Sequence, residues 1–131
     1  GVVTAYKAGR AKITIKTTGN TKYDPATIST VIKVYPKKAV MTKKPWTTAK
    51  KGQIKVRWNK QDNVTRYEVR YSTKSNMSGA KYYSIHKSGT FKGVWNIKSN
   101  KKYYVQIRTY MKKDAKKYYS KWSSKKAVRT K

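Results

Sequence analysis

Apolar and polar residues alternate through Gln53-Ile54-Lys55-Val56-Arg57-Trp58, through Tyr67-Glu68-Val69-Arg70-Tyr71, and again through Tyr103-Tyr104-Val105-Gln106-Ile107-Arg108. Successive side chains of a β-strand point to opposite faces of a sheet, so a period of two marks a strand with one buried face. The pattern places Ile54, Val56 and Trp58 on one side of the first segment, Tyr67, Val69 and Tyr71 on one side of the second, and Tyr103, Val105 and Ile107 on one side of the third. No segment carries a convincing helical period.

Further strands are expected on either side of these three. Val2-Val3-Thr4-Ala5-Tyr6 reads as a strand and Ala8-Gly9-Arg10 as a turn. Ala11 to Lys16 alternates again, with Ile13 and Ile15 sharing a face. Gly19-Asn20 and Asp24-Pro25 are turn signals, and Ile28 to Tyr35 is a strand with Thr30, Ile32 and Val34 on one side. Gln61-Asp62-Asn63 is a turn, Ser75 to Gly79 a loop, and Tyr82–His86 and Phe91–Ile97 are shorter strands. After turns at Lys98-Ser99-Asn100-Lys101 and Asp114-Ala115, a last strand region runs from Tyr118 to Val128. Short strands with a turn every ten residues or so predict an all-β, antiparallel β-sandwich.

Residues 37–45 read as a connection, because the stretch from Pro36 to Pro45 is bracketed by proline and carries Lys37, Lys38, Lys43 and Lys44. Like charges and proline favour extended backbone. The chain opens at Gly1 inside a strand pattern, which reads as a piece of a longer protein. No apolar run approaches the length that spans a bilayer.

The chain has 131 residues, with 34 Lys+Arg against 4 Asp+Glu and a formal charge of +30. Such a charge speaks to partners and solubility rather than to fold. With no Cys, disulfides, zinc–thiolate sites and thiol nucleophiles are excluded. The acids are Asp24, Asp62, Glu68 and Asp114, three of them in expected turns, and no spacing brings two carboxyls together for acid–base chemistry. His86 stands alone, too few ligands for zinc, and no nucleophile motif accompanies it. Neither a metal nor a cofactor is expected, and the chain reads as a non-enzyme.

From Trp46 onward the residues resemble a fibronectin type III domain. The likeness rests on Trp58, on Tyr67-x-Val69-x-Tyr71, on Ile97 six residues before Tyr103, and on Tyr103-x-Val105-x-Ile107. The resemblance implies that Trp58 packs across two sheets, that Ile97 ends a strand, and that the Tyr103 hydroxyl ties down the neighbouring turn. Tyr118-Tyr119-Ser120-Lys121-Trp122-Ser123 is similar to the last-strand pattern of such modules in Gram-positive surface proteins, and to half of the tryptophan–serine motif of cytokine receptors. That likeness implies Arg70 and Arg108 stacked on Trp122, each contact worth roughly 0.5–2 kcal/mol. Residues 1–36 resemble the C-terminal half of a bacterial immunoglobulin-like domain. The pattern is Gly1-Val2-Val3-Thr4-Ala5, Ala8-Gly9-x-Ala11-x-Ile13-Thr14-Ile15, Gly19-Asn20-x-x-Tyr23 and Val34-x-Pro36. The expected organisation is therefore a partial immunoglobulin-like segment at 1–36, a connection at 37–45 and a fibronectin type III-like domain at 46–131.

These modules serve bacterial surface proteins as spacers, adhesion units and binding modules, which implies an extracellular, cell-surface location. The candidate contacts for an anionic polymer are Lys55, Arg57, Arg70 and Arg108 on strands, with Lys101, Lys102, Lys112, Lys113, Lys116 and Lys117 at turns. Lys outnumbers Arg, which favours broad attraction over bidentate reading. Tyr82, Tyr83, Tyr104, Tyr118 and Tyr119 interleave with the lysines and offer rings for sugars or bases. The favoured partner is a wall polymer or anionic glycan. The alternatives are a spacer whose charge only keeps it soluble, and non-specific nucleic-acid binding, since no base-reading motif is present. Open edges in the 1–36 segment make self-association a further expectation.

Overall fold

The computed structural model describes residues 4–5, 7–42, 44–48 and 50–131, and among them it contains nine strands and no helix. The strands are β1 (Gly9–Lys16), β2 (Thr27–Val34), β3 (Ile54–Arg57), β4 (Arg66–Ser72), β5 (Lys81–His86), β6 (Phe91–Val94), β7 (Lys102–Lys113), β8 (Lys116–Tyr119) and β9 (Lys126–Arg129). Three antiparallel sheets result: β1–β2, β3–β6, and a five-stranded sheet ordered β5-β4-β7-β8 with β9 also on β7. Among the described residues no helix is long and apolar enough to cross a membrane.

The sandwich forms where the alternating faces meet. Ile54, Val56 and Val94 from the β3–β6 layer bury against Tyr67, Val69, Tyr71, Tyr103, Val105 and Ile107 from the large sheet. Trp58, directly after β3, sits with its ring centroid 5.3 Å from that of Tyr67. Two core tyrosines keep their hydroxyls satisfied at the edges of the core. Tyr67 accepts from the Gln61 backbone N–H at 2.6 Å, and Tyr103 accepts from the Lys98 N–H at 3.2 Å, closing the turn before β7. Gly52 has φ +63°, and a Cβ there would stand 2.5 Å from the Ile97 carbonyl oxygen. The Ile97 N–H donates to the Gly52 carbonyl at 3.1 Å, so this glycine lets two backbones meet and presses half-buried Ile97 onto the core.

Four expectations are corrected. Residues 37–45 are not a free connection. Ala39 and Met41 are buried in the core, Met41 and Trp46 bridge to Trp58 and Lys55, and the Thr109 hydroxyl donates to the Lys37 carbonyl at 2.7 Å. The extended backbone is present, but two apolar side chains turn it into an edge of the β3–β6 layer; Lys43 lies outside the described residues. Gly9 and Arg10 belong to β1 rather than to a turn, because they pair with Val34 and Lys33. The strand expected over Val2–Tyr6 falls largely outside the described residues, and Thr4 and Ala5 are irregular. β6 stops at Val94, since Asn96 takes φ 56° and turns the chain.

The fourth correction concerns residues 118–128, which form two strands rather than one. β8 pairs with Tyr110–Lys113 of β7, β9 pairs with Lys102–Val105, and the stretch between them leaves regular pairing. Serine side chains fill the gap. Ser120 N–H donates to the Thr109 carbonyl at 3.0 Å and Ser123 N–H to the Ile107 carbonyl at 2.7 Å. In return the Ser120 Oγ accepts from Thr109 N–H and the Ser123 Oγ from Ile107 N–H, each at 3.0 Å. The ladder thus survives with two hydroxyls in place of two carbonyls.

The β1–β2 hairpin is closed by its turn, where the Asn20 side-chain oxygen accepts from the Lys22 and Tyr23 N–H groups at 2.9 and 3.0 Å. Ile13, Ile32 and Val34 are half-buried, whereas Ile15 and Ile28 are 59% and 68% exposed.

Two outcomes test this account. Ser123→Ala leaves the buried Ile107 N–H without its acceptor and is expected to cost about 1–3 kcal/mol in urea unfolding, against a change of about 0.5 kcal/mol or less for exposed Ser124→Ala. Burial, the Tyr83 hydrogen bond and nearby Tyr83 and Tyr103 push the Tyr71 phenol up to about 12 from an ordinary 10.0. The folded state holds that proton more tightly, so its stability contribution is intact below pH 10.0 and is lost as pH rises towards about 12. Tyr71→Phe is expected to lose that alkaline sag, on the order of 2 kcal/mol between the two limits, in unfolding midpoints compared with the parent.

Candidate functional site

The outward face of the large sheet is built from the residues that alternate with the core. Glu68 and Arg70 project from β4, and Tyr104, Gln106 and Arg108 from β7; the register places Glu68 opposite Arg108 and Arg70 opposite Gln106. Arg108 donates from Nε to a Glu68 oxygen at 2.6 Å and forms an ion pair with the same oxygen at 2.5 Å. Arg70 donates to Gln106 Oε1 at 2.6 and 3.1 Å, and Gln106 in turn donates to the Ser123 carbonyl at 2.9 Å.

The serine-filled gap explains what lies on top. With Ser120 and Ser123 turned into the ladder, Trp122 lies flat over the sheet. Its ring is 4.0 Å from the Arg70 guanidinium carbon and 4.3 Å from that of Arg108. Arg108 also covers Tyr119 at 3.8 Å, and Tyr82 meets Trp122 at 6.3 Å with the rings tilted by 50°. Cations and rings therefore alternate across four strands' worth of surface. A guanidinium held between two aromatic faces and a carboxylate or amide is partly desolvated and already partnered. Arg70 and Arg108 serve the packing of this face, and their chemistry is largely used up there.

The remaining candidate cations do not form one patch. Lys55 is half-buried on the small sheet beside exposed Arg57. Lys101 and Lys102 are exposed at the start of β7, and Lys112, Lys113, Lys116 and Lys117 surround the Asp114–Ala115 turn at its far end. Nine residues of β7, Tyr103–Met111, separate these two clusters, so Lys102 and Lys112 stand roughly 33 Å apart at ~3.3 Å per residue. Asp114 and Ala115 have φ 48° and 60°, the geometry of the two-residue turn that follows the strand twist most closely. It holds Lys112 directly opposite Lys117 and Lys113 opposite Lys116. Two further cations, Arg10 and Lys33, come to the same end, lining a cavity with Lys116 and Lys117. Reading the hairpin and the sandwich as separate units concealed them; the only signal in sequence was their alternation with Ala11, Ile32 and Val34.

His86 Nδ1 lies 2.9 Å from the Ser88 hydroxyl, a contact within one turn. Glu68 is committed to Arg108. Among the described residues no three His, Asp or Glu side chains gather as metal ligands would.

No family model matches the chain, and no curated protein does. Solved structures do. A fibronectin type III domain of human collagen XX is 12% identical with a TM-score of 0.51, covering 74% of this chain and 90% of that one. A Fn3-like protein from Clostridium thermocellum is 15% identical with a TM-score of 0.57, covering 72% and 92%. A segment of two fibronectin type III domains from chicken tenascin is 16% identical with a TM-score of 0.60, covering 94% of this chain and 66% of that one. Single-domain structures thus account for about three quarters of the chain and a two-domain segment for nearly all of it. At these identities the likeness is one of architecture: the chain carries an antiparallel β-sandwich of the fibronectin type III kind.

Proposed function

We propose that this chain is a non-catalytic module of an extracellular surface protein, and that it holds an anionic polymer, a wall polymer or acidic glycan, by charge. The observation that carries the reading is the imbalance between cations and acids on the folded surface. Against 34 Lys+Arg there are 4 acids, and among the described residues one ion pair, Arg108–Glu68, sets acid against base. The lysines around the Asp114–Ala115 turn are exposed and stand opposite one another in register, four cations beside the single acid Asp114. Like charges directly opposite across strands destabilise a hairpin, and a polyanion relieves that repulsion while releasing its own counterions.

The module reading also covers the N-terminal segment. A two-stranded hairpin is marginal alone in water, and β1–β2 leaves Ile15 and Ile28 uncovered. Residues 1–36 fit as part of a second, immunoglobulin-like sandwich of bacterial type, with the fibronectin type III-like unit following. The outer edges of β1 and β2 lack strand partners among the described residues, which supports self-association by strand addition as a second property.

The deciding measurement is binding to wall teichoic acid, a sulfated glycan and duplex DNA across a salt series. The expected result is retention of one acidic polysaccharide near physiological salt while DNA is lost, with log K falling linearly in log salt. Equal, steep loss for all polymers favours a charged spacer. No binding at low salt leaves a structural repeat.

A further inference from the structure

The β1–β2 hairpin and the tip of β7–β8 come together in space. Gly9 faces Lys113, and a Cβ built on Gly9 would stand 3.6 Å from the lysine Cδ and 3.8 Å from its Nζ. Beside this contact opens a cavity of about 370 Å³. Arg10 and Lys33 form one wall, Lys116 and Lys117 the other, and Tyr35 and Tyr118 complete it. No carboxylate among the described residues lines it.

The pairing registers make this place costly for the protein alone. Arg10 is directly opposite Lys33 on the first hairpin, and Lys112 and Lys113 are opposite Lys117 and Lys116 on the second. Three like-charged cross-strand pairs thus stand on the two hairpins, and from them Arg10, Lys33, Lys116 and Lys117 border the cavity. Each such pair destabilises its hairpin. The repulsion between the two hairpins adds to this, and an anion placed between them relieves the part that arises at Arg10, Lys33, Lys116 and Lys117.

We propose that this cavity seats a segment of an acidic polysaccharide, whose pendant sulfate, phosphate or carboxylate groups bridge the two hairpins. The assignment rests on the polyanion reading and gives it a location. The aromatic geometry favours a sugar chain over nucleic acid. Single strands are gripped by successive bases stacked on free rings, but Tyr119, which also borders the cavity, has its ring taken up by Arg108 at 3.8 Å and Tyr110 at 5.3 Å. Tyr118 is half-buried, leaving Tyr35, 58% exposed, as the open platform. One platform under a sugar ring, with lysine point charges on both sides, suits a polymer that carries anions at intervals.

Two charge-matched quadruple variants test the site in the full chain. R10Q/K33Q/K116Q/K117Q removes the cavity cations, all exposed; K74Q/K81Q/K98Q/K126Q removes as many exposed cations at the opposite end, none of them a candidate contact. Binding of a heparin fragment, of wall teichoic acid and of duplex DNA is measured by titration calorimetry across a salt series. The cavity variant is expected to lose tenfold or more in affinity for an acidic polysaccharide near 150 mM salt, with the salt slope smaller by about 3–4. The opposite-end variant is expected to lose less than about threefold. Whether heparin or teichoic acid shows the larger effect identifies the anion's source. The cavity variant is also expected to melt no lower than the parent without polymer, and polymer is expected to raise the parent's melting temperature more than the variant's. Should the quadruple variant fail to fold, K116Q/K117Q alone is expected to give about half the change in slope. Equal losses in the two quadruple variants, unchanged affinity in the cavity variant, or a loss confined to DNA overturns the site. Absence of binding by the parent to every polymer instead overturns the polyanion reading itself.

Discussion

Strand β7 joins both faces of the molecule through one alternation. Tyr103, Val105 and Ile107 point into the sandwich and are buried, each such side chain contributing roughly 1.5–3 kcal/mol. Tyr104, Gln106 and Arg108 point out and are half-buried under the aromatic face. β7 pairs with β4 along one edge and with β8 and β9 along the other. A slip of one residue would exchange core for surface on the whole strand. The serine pair at 120 and 123 is what keeps that register through the break between β8 and β9.

A chain with a formal charge of +30 must fold against its own repulsion, and the structure handles its cations in two ways. Arg70 and Arg108, nearest the centre of the large sheet, are sandwiched on Trp122 and tied to Gln106 and Glu68. Arginine suits this place because its flat, weakly hydrated head stacks as well as donates. Most of the described lysines are exposed, many of them at strand ends and turns, where water screens them. The corner shared by Arg10, Lys33, Lys116 and Lys117 brings cations of two hairpins to one cavity that no carboxylate among the described residues lines, although Asp114 sits close by in the β7–β8 turn.

Much of the sandwich was legible in sequence, and the misses share a cause. Ile54, Val56, Trp58, Tyr67, Val69 and Tyr71 are buried as their alternation required. The 118–128 region was read as one strand because its composition suits a strand throughout; nothing local says that Ser120 and Ser123 would turn their hydroxyls into a neighbour's ladder. Residues 37–45 were read as a connection because Pro and Lys dominate the stretch, while Ala39 and Met41, which decide its packing, are two residues among nine. Arg10 and Lys33 are not legible as site residues because they lie some 80–110 positions from Lys116 and Lys117 in sequence.

The sequence by itself determined the strand class, the buried face of each main strand and the excess of positive charge. Those properties follow from side-chain type and a two-residue period, which are local. Which strands pair, that two serines carry a ladder across a gap, and that cations from two distant hairpins share one cavity were decided only in the tertiary structure. Pairing partner and register depend on contacts between residues far apart in the chain, and no local pattern encodes them.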